Sequence, residues 1–271
     1  MKRCLLSLGL AVASAAVVSR VSASTVAYWR FEPGALNIDS GPNNYNLTIA
    51  GNGVSGGTPT TGYNVSNNGS ITLSGTSTAG RQLQTINPLN LSSLNQITVE
   101  WWANVATNAS AGIIFEQGSD FNTTPGAIIA DVIEGPSRMD AAQHSNFYYI
   151  ERANRPANGT WAHYAMTIDK ALAGAARIHL YINGVDVGDN TTTGADANDK
   201  PAFGNATMYF GSRNNSNFFF DGSIDEVRIS DTILSTDQFL IYVPEPASAG
   251  VFAASGALLA ISRRRRAAPN Q

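Results

Sequence analysis

The chain has 271 residues, one cysteine, three histidines and a formal charge of -3. Seven of its 17 Lys and Arg residues lie in the two ends (Lys2, Arg3, Arg20 and Arg263 to Arg266), so the body between holds ten cations against nineteen acids. So acidic a body excludes nucleic acid as the partner, because phosphate binding needs a basic footprint. The length accommodates one large domain between short terminal segments.

Residues 1–23 read as a secretory signal: Lys2 and Arg3 open it, an apolar run follows from Cys4 to Val18, and Val21, Ser22 and Ala23 supply small residues for cleavage after Ala23. Arg20 interrupts the run before the roughly 20 residues that a membrane span requires. The only cysteine lies inside this segment, so residues 24–243 can form no disulfide and depend on core packing or a metal.

From Ser24 to Val243 the chain is rich in Gly, Asn, Ser and Thr, with short apolar runs of period two, which predicts an all-β domain. The turn-rich stretch Ala50 to Ser70 reads either as a long loop or as two edge strands around a turn. In Ile97 to Val105 the odd-numbered residues Ile97, Val99, Trp101, Ala103 and Val105 share one face, predicting a strand buried on one side. Trp161 to Asp169 predicts another strand. Ile178, Leu180 and Ile182 alternate with polar neighbours up to Asn183-Gly184, two residues that tolerate positive φ and predict a tight hairpin into Val185. Ala206 to Ser212 and Gly222 to Ser230 complete the strands. Ser235 with Gln238 three residues later forms a capping box and predicts one short helix.

Several stretches, in order, together resemble the laminin-G-like, concanavalin A-like jelly-roll family: VAYWRFEPG from Val26, DSGPNNYNLT from Asp39, ITVEWWANV from Ile97, TWAHYAMTID from Thr160, IHLYINGVDVG from Ile178, MYFGSR from Met208, and FFFDGSIDEVRISDTILSTDQF from Phe218. The resemblance implies a sandwich of two antiparallel sheets with about 12 to 14 strands, first and last side by side. It also implies a non-catalytic domain that binds glycans or proteins, and a structural calcium near the junction of the first and last strands. Asp39, Asn43, Asn44, Asp221 and Asp225 offer the oxygens such an ion takes. Other readings stand beside that one: Asp39 opening an Asx-turn, Asp221 as a turn residue, and Asp225 paired with Arg30 or capping backbone amides. If its strand is regular, Asp225 shares a face with Val227 and Ile229, where an unpaired charge is costly.

The C-terminus resembles the PEP-CTERM sorting signal of Gram-negative bacteria: Val243, Pro244, Glu245 and Pro246, an apolar helix over residues 247–262, then Arg263, Arg264, Arg265 and Arg266. Sixteen helical residues cover roughly 24 Å, short of a hydrocarbon core of about 30 Å, and the arginines would hold their end cytoplasmic. The resemblance implies a transient tether in the inner membrane, with an exosortase-type protease as partner and release to the cell surface or matrix.

For a ligand surface, the mixture of aromatic, Arg and Asn side chains around Phe147, Tyr149, Arg213 and Phe218 suits stacking on a sugar ring while bonding its hydroxyls; for Phe147, Tyr149, Phe218 and Phe220 packing in the sandwich is the competing account. Laminarinase-type hydrolases of this fold carry acids at period two on one strand, placing two carboxylates about 5 Å apart. No Glu-x-Asp-x-Glu run occurs here, and Glu100, Glu116, Glu134, Glu151 and Glu226 are scattered, so the chain is not read as an enzyme. His163 reads as a packing residue. The resulting expectation is an exported surface or matrix protein whose domain binds extracellular glycan or a surface protein. A matrix component without a specific ligand is the alternative, and a glycan hydrolase or lyase is a third.

Overall fold

The computed structural model describes residues 23–58, 67–74, 80–106, 111–133, 138–144, 148–188, 192–193 and 201–241. In chain order the strands are β1 (Thr25–Trp29), β2 (Leu47–Ala50), β3 (Val54–Gly57), β4 (Ser70–Leu73), β5 (Gln82–Thr85), β6 (Leu89–Asn90), β7 (Gln96–Val105), β8 (Ala111–Gln117) and β9 (Ile128–Ile133). They continue as β10 (Arg138–His144), β11 (Tyr148–Asn154), β12 (Trp161–Asp169), β13 (Ile178–Ile182), β14 (Val185–Asp186), β15 (Thr192–Thr193), β16 (Asn205–Ala206), β17 (Met208–Phe210) and β18 (Gly222–Ser230). Several are only two to four residues long, which raises the number above the expected range.

Two antiparallel sheets make the sandwich. One runs β14-β13-β12-β7-β18-β4-β3, and the other β15-β11-β10-β9-β8-β17-β5-β2. As expected, the first and last strands are neighbours: β1 pairs with the second half of β18, and β4 with its first half along the same edge. Within the stretch Ala50 to Ser70, Val54–Gly57 forms the edge strand β3, paired with β4, while residues 59–66 lie outside the described residues. At the predicted hairpin, Asn183 and Gly184 both take positive φ (48° and 78°), the geometry that lets two residues reverse a twisted pair.

The core lies between the sheets. Ile97, Val99, Trp101, Ala103 and Val105 all point into it, with Tyr164, Met166 and Ile168 from β12 and Ile224, Val227 and Ile229 from β18. Opposite them stand Phe115, Ile128, Ala130, Met139, Ala141 and Phe210. Trp101 bridges the layers, stacked on Tyr164 at 5.6 Å and edge-on to Phe115 at 5.1 Å; such ring pairs add about 0.5–1.5 kcal/mol each beyond the apolar area they bury. Arg177, wholly buried, ties sheets and loops together: it donates to Gln143 Oε1 (2.9 Å) and to the carbonyls of Lys170, Leu172 and Pro201.

Two expectations need correction. Strand β7 is buried on both faces, because residues 231–241 return across its outer side: Leu234 and Phe239 pack with Ala165, and Leu240 packs with Trp102. The capping box of Ser235 and Gln238 is present, but it opens a single 3-10 turn, Thr236–Gln238, within this strap. Secondly, β18 is not regular. A bulge between Asp225 and Arg228, with Glu226 at φ 50°, sets two residues against one of β7. Asp225 pairs with Trp102 and so lies on the outer face, while Val227 and Ile229 point inward. Arg30 bonds Glu226 and Glu32.

Candidate functional site

The second sheet presents a cleft of about 160 Å³ on its outer face, lined by Phe121, Asn122, Ile129, Asp131, Asp140, Ala142, Ile150 and Arg213. Strand register explains its floor. Across β8, β9, β10 and β11 one row of paired residues reads Ile113, Asp131, Asp140, Arg152, and the row beside it reads Glu116, Ile129, Ala142, Ile150. A polar stripe therefore lies directly against an apolar one. Glu116 and Ile113 share this face only because β8 bulges between Ile113 and Phe115, sending Ile114 and Phe115 together into the core.

The walls are a capped turn and a clamped loop. Asp120 accepts from the Asn122 N–H (2.9 Å) and so opens the 3-10 turn Phe121–Thr123. Arg213 donates from Nε to Glu116 Oε1 (2.9 Å), reaches Asp120 at 3.3 Å and covers the Phe218 ring at 4.8 Å. Its loop holds Asn214, Asn215 and Phe218 at positive φ (43°, 55° and 51°), a region Asn tolerates and Phe rarely enters. The loop is kept there by Asn215 Oδ1 accepting from Gly80 N (2.8 Å) and by the Phe218 carbonyl accepting from Ile113 N (2.9 Å).

The electrostatics are balanced by pairing. Arg152 donates to Asp140 at 2.8 Å and Arg138 lies 3.5 Å from it. Glu116 is fully buried and accepts from Phe121 N and Arg213; burial raises its pKa, and those two partners pull the other way. Asp131 is half-buried, directly opposite Asp140. Burial first, then the negative charges of Asp140 and Glu116, push it up to about 8, with Arg213 and Arg152 opposing. At neutral pH it carries a proton, and the site holds a carboxyl that both donates and accepts beside carboxylates that only accept.

Of the ligand residues expected from sequence, Arg213 lines this cleft and Phe218 stacks on it, 39% exposed. Phe220 is in the core. Tyr149 sits in β11 opposite Gln143, and Phe147 lies outside the described residues. Sequence reading missed Asp131, Asp140, Arg152, Ile129 and Ile150, and saw Glu116 only as scattered. A signal was present: Ile129 and Asp131, Asp140 and Ala142, and Ile150 and Arg152 are each two apart on one strand, an apolar or small residue paired with a charged one.

Residues expected to hold calcium make hydrogen bonds within the protein. Asp39 accepts from the backbone N–H groups of Tyr28, Gly41 and Tyr45 at 2.7–2.8 Å, the Asx-turn reading. Asn43 donates to the Val26 carbonyl, and Asn44 is exposed at φ 57°. Asp225 accepts from Asn67 at 2.8 Å, and the Asp221 carbonyl accepts from Ala106 N. Among the described residues no group of three or more His, Cys, Asp or Glu is placed to hold a metal ion. Melting curves in chelator and in millimolar calcium test the calcium reading: a rise above about 3 °C with calcium would reveal an ion bound to the native state, and superimposed curves would remove it.

Ala23 packs against the strap. Val243, Pro244, Glu245, Pro246, residues 247–262 and Arg263 to Arg266 lie outside the described residues, as do residues 1–22. No described helix is long and apolar enough to cross a membrane.

Domain 4 of AbnA, an extracellular GH43 arabinanase from Geobacillus stearothermophilus solved with arabinotriose, is similar at 23% identity and TM-score 0.58, covering 80% of this chain and 96% of that one. The ligand binding domain of botulinum neurotoxin serotype D, solved with N-acetylneuraminic acid, is similar at 16% identity and TM-score 0.58, covering 79% of this chain. The type G receptor binding domain is similar at 12% and 0.55. This chain spans about half the length of those toxin domains. No curated protein matches it. The family model of the concanavalin A-like lectin/glucanases superfamily matches residues 76–238, more than half of the chain and most of both sheets. The protein belongs to that superfamily, as a laminin G-type domain.

Proposed function

We propose that the protein is exported and that its sandwich is a non-catalytic module that binds extracellular glycan in the outer cleft of the second sheet. The observation that carries this is the two-row floor. Sugar rings have apolar C–H faces edged by hydroxyls, and Ile129, Ala142 and Ile150 lying against Asp131, Asp140 and Arg152 offer the matching halves. Phe218 under Arg213 adds an exposed ring at the rim. Similar sandwiches solved with arabinotriose and with N-acetylneuraminic acid support the reading. Residues 1–23 would direct export, and residues 244–271 would act as a transient inner-membrane tether read by a sorting protease.

A hydrolase is the second reading, favoured by Glu116, Asp131 and Asp140 converging on one cleft. Against it, the arginine contacts to Glu116 and Asp140 hold both as structural carboxylates. A panel of oligosaccharides including arabinotriose, titrated against the secreted protein, is expected to give saturable binding of at least one sugar with no release of reducing ends. Reducing ends would select the hydrolase; no binding at all would favour a matrix component without a specific ligand. The intact mass of the surface form should end close to Val243 to Pro246, and recovery of Arg263 to Gln271 on that form would overturn the sorting reading.

A further inference from the structure

Resting on the glycan-binding reading, we propose that the cleft takes uncharged sugar residues, and that the carboxylates Asp140 and Glu116, already bonded to the arginines at its border, turn away uronic and sialic acid residues.

The floor sets the size of what is read. Four strands at about 4.8 Å spacing and two rows separated by two residues make a patch of about 14 by 7 Å, enough for one or two sugar rings lying across the strands. The charges set its kind. Three arginines border the cleft and each is committed: Arg213 to Glu116, Asp120 and the Phe218 ring, and Arg152 and Arg138 to Asp140. A sugar carboxylate entering here would have to displace one of the protein's own carboxylates from its arginine. It would also meet the Asp140 carboxylate at short range in a partly desolvated site, where like charges repel, joined above about pH 8 by Asp131. Uncharged hydroxyls meet no such obstacle, since they donate to Asp140 and can accept from a protonated Asp131.

Asp131 keeps its proton below about pH 8. The groups facing it are Glu116 on β8, Asp120 before the 3-10 turn, Asp140 and Arg138 on β10, Arg152 on β11, and Arg213. As pH rises through 8 the donor is lost and a second negative charge appears beside Asp140, so affinity for an uncharged sugar should fall.

The test is a titration of the full secreted protein with neutral arabino-, galacto- and gluco-oligosaccharides, their uronic acid counterparts and N-acetylneuraminic acid, at pH 6, 7.5 and 9. At pH 6 the best neutral sugar is expected to bind about 10-fold or more tighter than any acidic one, and to weaken about 10-fold by pH 9, as loss of one hydrogen bond implies. Asp131→Asn, which cannot titrate, should flatten the pH profile whatever its affinity at pH 6; Asp131→Ser, also unable to titrate in this range, serves if the first variant does not fold. Equal or tighter binding of an acidic sugar, or a pH profile unchanged by both variants, overturns the proposal while leaving glycan binding intact. Absence of binding to every sugar would instead remove the glycan reading on which it rests.

Discussion

Glu100→Ala is expected to cost about 3–5 kcal/mol of unfolding free energy, because it removes one member of a buried ionic group and leaves the others without compensation. Glu100 is wholly buried on the outer face of β7, a position where a strand with one wet side would expose it. It accepts from Arg228 Nε at 2.8 Å, from His163 Nε2 at 3.2 Å and from the backbone N–H of Leu240 at 2.7 Å. Arg228 also donates to the Gln238 carbonyl at 3.0 Å. One carboxylate thus fastens β12, β18 and the strap to β7. Denaturant unfolding would measure the loss, and limited proteolysis should cut the variant first within residues 231–241. Glu100→Gln keeps an acceptor for Leu240 and should lose less. A cost below about 1 kcal/mol with an unchanged cleavage pattern would show that apolar packing alone holds the strap.

His163 gives the same site a pH signature. Burial lowers its pKa, and the bond to Glu100 only partly restores it. A base whose folded pKa is depressed contributes stability above its unfolded value, about 6.5, and that contribution is lost as pH falls through the folded value. Removing Glu100 takes away the group that favours the protonated ring, so the acid limb of the variant's stability curve should be steeper than that of the parent.

What the residues announce and what they conceal divides along a physical line. Period-two alternation marks Ile97 to Val105 and Ile178 to Ile182, because each pattern is local and regular, and Asn183-Gly184 declares its turn through positive φ. Both bulges are invisible to that reasoning. Counting by twos from Val227 places Asp225 in the core, and counting by twos from Ile113 sends Glu116 away from the cleft. In each strand one extra residue reverses the count, and no residue type compels a bulge there: Glu226 adopts φ 50° without being Gly or Asn. The strap was half legible, since Ser235 and Gln238 predicted its turn while nothing local showed that Phe239 and Leu240 would roof His163 and Trp102. The cleft was least legible, because its acids come from three strands and meet only through pairing register. Arg213 and Phe218 were found because both lie on one loop, where sequence neighbours are also spatial neighbours.

Arg213 carries the other large expected effect. Its guanidinium joins the two walls: it holds Glu116 beneath the 3-10 turn, reaches Asp120 at the start of that turn, and lies on Phe218 across the cleft. Arg213→Ala would leave Glu116 buried with the Phe121 N–H as its remaining close partner, and would raise its pKa further, since Arg213 is among the influences holding it down. A loss of about 2–4 kcal/mol in stability and of about 100-fold in affinity for the best-binding sugar is expected, the second because both walls lose their positions together. Arg213→Lys retains a cation without the planar fork that bonds and stacks at once, so it should recover stability better than binding. Phe218→Ala separates the two effects. That ring is 39% exposed, so its removal should cost less than about 1 kcal/mol in stability while weakening the sugar about 10-fold through the lost stacking surface. If Phe218→Ala and Arg213→Lys both bind the sugar as the parent does, the ligand does not occupy this cleft, and Arg213 serves only to keep Glu116 buried and the loop closed.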